Sequence, residues 1–143
     1  MKFGRILIGM IILIGLLGFF VPGIASAKDI RWQSFSAGMA RGKAENKKVF
    51  VHFYANWCGT CKIMENKTFN DPGVIAALNQ DYIPIKVDVD RSRKISEIFK
   101  VKFLPDNWFI TADNKIIGHR TGYIAPKQLK VLLKMLSEED LGQ

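Results

Sequence analysis

The stretch Val49-Phe50-Val51-His52-Phe53-Tyr54-Ala55-Asn56-Trp57-Cys58-Gly59-Thr60-Cys61-Lys62 decides the fold. Its first six residues are β-branched or aromatic and almost fully apolar, a pattern that fits a short central strand covered on both faces. The chain's two cysteines follow directly, and Thr60 to Phe69 reads as a helix. A strand-to-helix junction sets Cys58 at a helix N-terminus, where unpaired N–H groups and the dipole favour a negative sulfur. Two intervening residues bring the second thiol one turn along, close enough to resolve a mixed disulfide. Cys58 is therefore the expected exposed nucleophile and Cys61 the more buried resolving thiol. Other chemistries meet obstacles. A c-type haem site needs His after the second Cys, where Lys62 stands. A structural zinc site needs four ligands, and only His52 and His119 remain to join the cysteines. A redox dithiol, a non-enzymatic Cu(I) carrier and an inert structural disulfide are left.

Outward from this stretch, strands and helices alternate. Ile30 to Phe35 suggests a first strand. Ser36 to Asn46 suits a helix that Gly38 and Gly42 weaken. Asp71-Pro72 starts another helix, since Asp caps and Pro suits the first helical position. Ile83 to Val89 reads as a strand with Pro84 near its start, and Ile95, Ile98 and Phe99 mark an amphipathic helix. Trp108 to Thr111 and Ile116 to Arg120 form a hairpin around Ala112-Asp113-Asn114-Lys115. Pro126 opens a last helix with a Leu129, Leu132, Leu133, Leu136 stripe. Alternation implies parallel pairing and the hairpin adds antiparallel strands, giving an α/β class with a mixed central sheet and helices on both faces.

The chain has 143 residues and a formal net charge of +8, which allows about one domain. Residues 1–27 read as a signal peptide. Lys2 and Arg5 precede the uncharged run Ile6 to Val21, then Pro22-Gly23 and a small-residue exit, Ala25-Ser26-Ala27. An uncleaved membrane anchor is the alternative. Residues 28–143 form the remaining domain, with 19 Lys+Arg against 13 Asp+Glu. Lys47-Lys48 and Arg91-Ser92-Arg93-Lys94 are its densest basic clusters. They read as solvated faces, and without interleaved aromatics they give no nucleic-acid surface.

The segment Phe50 to Lys62 resembles the thioredoxin active site. The resemblance runs on through Lys86-Val87-Asp88-Val89-Asp90, Phe103-Leu104-Pro105, Gly122 and the C-terminal helix, covering roughly residues 30–136. The chain is most similar to exported bacterial members and to the C-terminal thioredoxin domain of DsbD-type reductases. This likeness implies a thioredoxin fold and a Cys58–Cys61 dithiol/disulfide pair as the only redox group, with no metal or separate cofactor. It implies that Trp57 shields the disulfide and shapes the contact surface. Pro105 matches a cis-proline facing the cysteines, and the Leu104 backbone beside it pairs with an extended substrate segment. Lys86 lies near the buried side of the site, and Gly122 near the substrate groove.

Three positions depart from the family pattern. His52 replaces a buried Asp that relays a proton to or from the second thiol. Imidazole can carry a proton too, although a core histidine bonded to backbone explains the position equally. Asp106 follows Pro105 where Thr is usual, and a carboxylate near Cys58 would disfavour both the thiolate and acidic partners. Gly59-Thr60 replaces Gly-Pro between the cysteines, which changes the redox potential. The expectation is a monomeric thiol-disulfide oxidoreductase in the periplasm of a Gram-negative bacterium, tethered to the inner membrane if residues 1–27 persist. It would reduce protein disulfides with electrons from a membrane donor of DsbD type. Dithiol oxidation and isomerisation are the same-fold alternatives. No flavin or nicotinamide motif is present, which makes the chain a relay.

Overall fold

The computed structural model describes residues 27–138. The expected signal peptide or anchor lies outside these residues, apart from Ala27. Among the described residues no helix is long and apolar enough to cross a membrane.

In chain order the elements are α1 (Phe35–Glu45), β1 (Lys48–Tyr54), α2 (Gly59–Lys67), α3 (Pro72–Asp81), β2 (Tyr82–Asp88), α4 (Arg93–Ile98), β3 (Asp106–Ile110), β4 (Ile116–Thr121) and α5 (Pro126–Glu138). The sheet order is β2-β1-β3-β4. β1 runs parallel to β2 and antiparallel to β3, and β3 and β4 form the late hairpin. This is the mixed sheet expected from the sequence. Pro84 is tolerated because β2 is an edge strand.

Period-two alternation splits the core. Phe50 and Phe109 join Met64, Phe69, Val74, Leu78, Leu129 and Leu133 beneath α2, α3 and α5. Val49, Val51, Phe53, Ile85, Val87, Trp108 and Ile110 meet Phe35 and Met39 of α1, Ile95 of α4 and Phe99 beyond it on the other face. The α5 stripe behaves as read, with Leu129 and Leu133 buried and Leu132 and Leu136 packed at its margin.

Three local readings change. Ile30 to Phe35 is not a strand. Its backbone touches the sheet at one bridge, Gln33 to Ile85, while Ile30 and Trp32 pack into the α2–α3 side of the core. The glycines of α1 do more than weaken it. A Cβ at Gly38 would lie 2.3 Å from Ile85 Cγ1, and one at Gly42 2.6 Å from Val49 Cγ2, so both let α1 approach the sheet. Lys48 is not on a solvated face. It is buried at the start of β1, and its ammonium donates to the Leu136 carbonyl near the end of α5. A cation there complements the helix's negative end.

Candidate active site

The site forms where the central strand stops. β1 ends at Tyr54, the Cys58 N–H returns to the Ala55 carbonyl at 3.1 Å, and α2 begins at Gly59. Cys58 occupies the N-cap position with extended backbone, and its Sγ accepts the Cys61 N–H at 3.1 Å. That bond and the dipole of α2 both favour negative charge on the Cys58 sulfur. The two cysteines are joined as a disulfide. Cys58 is 6% exposed and Cys61 1%, so in the oxidised pair both are buried, contrary to the exposed Cys58 expected, with Cys58 the less covered of the two.

A groove of about 490 Å³ opens beside Cys58, lined by Trp57, Gly59, Thr60, Val101, Phe103 and Leu104 among others. Trp57 is 71% exposed, and its indole N–H donates to Asp90 at 2.9 Å, which holds the ring at the β2–α4 side. The Leu104–Pro105 peptide is cis. Pro105 is buried at the start of β3 and its carbonyl accepts the Gly122 N–H at 2.7 Å. Gly122 has φ +85°, in the left-handed region open to glycine, so the turn after β4 is tied directly to the cis-proline.

His52 lies in the middle of the sheet and is fully buried. Its partner is a side chain, not backbone: Nδ1 sits 2.8 Å from Asn107 Oδ1. Asn107 uses its Nδ2 to donate to the Arg120 carbonyl at 3.2 Å, so its Oδ1 is the atom facing His52. The proton of the neutral ring must then sit on Nδ1, and Nε2 carries the lone pair. Nε2 is buried without a hydrogen-bond partner. Burial pushes the imidazole down from its ordinary 6.5 to about 4, against the opposing Asn107 bond. The ring stacks parallel to Tyr54 with centroids 6.1 Å apart, and Tyr54 packs against the Ala55, Cys58 and Cys61 cluster.

Lys86 lies on the same flank. Its ammonium pairs with Glu65 of α2 at 2.5 Å and sits 4.3 Å from the Tyr54 ring centroid. A half-exposed pair of this kind adds little stability but fixes the lysine beside the underside of α2.

Asp106 does not act as expected. Its carboxylate is buried, accepting Trp108 Nε1–H at 2.9 Å, with His119 Nδ1 at 2.9 Å from the other oxygen. It is not among the residues lining the groove beside Cys58, so that groove lacks the repulsive carboxylate the sequence suggested.

The structure therefore brings Trp57, Cys58, Gly59, Thr60 and Leu104 to one groove, while Pro105 and Gly122, joined by a backbone hydrogen bond, do not line it. His52 and Lys86 both flank Tyr54, which packs against the cysteine cluster. Sequence reasoning missed Asn107, Tyr54, Glu65 and Asp90. No local signal marked the first, because Asn107 falls just ahead of the strand expected from Trp108, whereas β3 begins at Asp106.

The family model described as a thioredoxin-like domain matches residues 35–137. A thioredoxin of Mycoplasmoides gallisepticum is 42% identical over 89 residues, which are 62% of this chain and 84% of that protein. The thiol:disulfide interchange protein DsbD of Vibrio vulnificus is 42% identical over 55 residues, 38% of this chain but 9% of DsbD. A thioredoxin structure from Thermus thermophilus superposes with TM-score 0.71 at 20% identity, covering 80% of this chain and 94% of its own. A DsbH oxidoreductase structure gives 0.65 at 19% identity, covering 77% and 88%. The groove with its helix-capped cysteine pair and the match across residues 35–137 lead to one conclusion: the chain belongs to the thioredoxin-like family and is a thiol-disulfide oxidoreductase with a Cys58–Cys61 redox disulfide.

Proposed function

We propose that the protein reduces disulfides of other proteins in the periplasm, with electrons from a membrane donor of DsbD type. The observation that carries this reading is Cys58 Sγ capping α2 at the mouth of the groove made by Trp57 and the cis Leu104–Pro105 segment. The apolar segment before Ala25-Ser26-Ala27 supports export.

In the reduced protein the Cys58 thiolate attacks one sulfur of the partner disulfide. A mixed disulfide forms and the partner's other sulfur leaves as thiolate. Cys61 then loses its proton and attacks Cys58 Sγ, releasing the second partner thiolate and closing the Cys58–Cys61 disulfide. Two electrons pass to the partner, whose thiolates take up protons, and the donor dithiol restores the pair. Trp57 and the Leu104 backbone align the partner chain. The turn at Gly122 keeps Pro105 in place, while Lys86 and the Gly59-Thr60 dipeptide set the electrostatics around the sulfurs. The buried imidazole of His52, linked to the pair through Tyr54, is the candidate proton acceptor.

Two measurements test the reading. Cys61→Ser should hold partners as mixed disulfides through Cys58; capture by Cys58→Ser instead would reverse the roles. The reduction potential sets the direction. A value near thioredoxin's, about −270 mV, supports reduction, and one near DsbA's, about −120 mV, assigns oxidation.

A further inference from the structure

The groove beside Cys58 does not end at Phe103. Val89, Val101 and Lys102 line it and also line a second depression of about 250 Å³ against α4. The second depression carries Arg93, Lys100 and Lys102 against a single acidic residue, Glu97. Arg93, Lys100 and Lys102 are all exposed, and among the described residues none of them pairs with a carboxylate. Lys100 has φ 51°, and the Val101 N–H closes back onto the Ser96 carbonyl at 3.0 Å, so the turn presenting these charges is fixed by backbone bonds. Of the carboxylates that could oppose an acidic partner, Asp106 is buried and hydrogen-bonded to Trp108, and Asp90 is engaged by the Trp57 indole N–H.

We propose that the substrate groove continues along α4 as a basic subsite. The preferred partners are disulfide-bearing polypeptides with an apolar residue beside the reacting cysteine and acidic residues further along the same segment. The apolar part faces Trp57, Phe103 and Leu104, and the acidic part faces Arg93, Lys100 and Lys102. This rests on the disulfide-reducing reading and adds a substrate class to it. Exposed charges facing one another across an interface rim raise the association rate and lose effect with salt. Nucleic acid or anionic lipid would also meet a basic patch. Continuity with the groove of the reacting sulfur favours a polypeptide.

The test uses three synthetic disulfide-bridged peptides of equal length, with a fluorophore and quencher separated on reduction. Each has a leucine beside one cysteine and then Glu-Glu, Gln-Gln or Lys-Lys. The reduced wild type should cleave the Glu-Glu peptide about tenfold faster in kcat/KM than the Lys-Lys peptide at low ionic strength, with the ratio shrinking in 0.5 M salt. Arg93→Glu combined with Lys100→Glu should invert the ratio, whereas Lys127→Glu on α5 should leave it as in the wild type. Equal rates on all three peptides overturn the basic subsite and leave the reductase reading standing. So does a preference that survives the Arg93→Glu, Lys100→Glu pair. Failure to reduce any of the peptides overturns the reductase reading itself.

Discussion

Replacing His52 by Gln removes a titrating group from the middle of the sheet while keeping a donor for Asn107. The effect on acid stability follows from the burial of the imidazole. Unfolded, His52 takes a proton near pH 6.5; folded, burial holds it to about 4. Between those values the unfolded chain binds the proton and the native one does not, so stability rises with pH across the window. The contribution is fully present above pH 6.5 and is lost as the pH falls toward 4. At 1.36 kcal/mol per pH unit, protonating the buried ring costs about 3 kcal/mol. Between pH 7 and pH 5 the wild type should therefore lose about 2 kcal/mol that His52→Gln does not lose.

The assay is guanidinium unfolding of both oxidised proteins at pH 7, 6, 5 and 4, comparing free energies of unfolding. Carboxylates titrate in both chains, so the difference between the curves isolates His52. Converging curves at low pH are expected, with the variant weaker at pH 7 and gaining on the wild type below 6.5. Parallel curves from pH 7 to 4 would refute the reasoning, because they would mean that the ring protonates as readily in the fold as out of it. Nitrogen NMR gives an independent check, with Nδ1 protonated and Nε2 bare at pH 7.

Two further substitutions probe the frame around the site. Gly38→Ala should destabilise by about 1–2 kcal/mol despite its better helix propensity, because the new Cβ meets a fully buried Ile85 at 2.3 Å; denaturant unfolding equal to wild type would sink this. Gly122→Ala meets no atom within 4 Å, so its cost of about 1–2 kcal/mol comes from φ +85° alone. Gly122→Asn should cost less, since Asn visits the left-handed region more readily, and an Ala variant as stable as Asn contradicts the account.

The sequence made the frame legible where pattern and chemistry agreed. The apolar run before Cys58, the proline-started α3 and α5, and the hairpin at 112–115 all signalled their elements locally. Ile30 to Phe35 misled because Ile30 and Trp32 are spaced like strand residues, yet they pack across a face of the sheet, Trp32 on Phe50, His52 and Phe69, and do not pair along its edge. Asp106 misled for a different reason. Its closeness in sequence to Pro105 suggested closeness to Cys58. Strand alternation instead puts it on the side of Trp108, where the indole N–H can reach it, and His119 stands opposite Trp108 across the hairpin. His52 was visible as an anomaly, but its partner was not. Asn107 stands 55 positions away and meets His52 only through the β1–β3 register. Neither the tautomer nor the bare Nε2 follows from any local pattern. The basic extension along α4 was hidden because Arg93 read as part of a solvated basic face until the groove joined it to Cys58.

The single bridge at Gln33 has a consequence for self-association. β2 is an outer strand, and an open row of backbone groups invites edge-to-edge pairing with another chain. Gln33 donates its N–H to Pro84 and accepts that of Lys86, while Pro84 itself offers no donor. Two hydrogen bonds and one proline thus blunt this border of the sheet against aggregation without adding a fifth strand. The opposite border is guarded differently. β4 carries His119 and Arg120, and the register shifts at Phe109/Ile110 on its partner, features that discourage a flat, apolar template for strand addition.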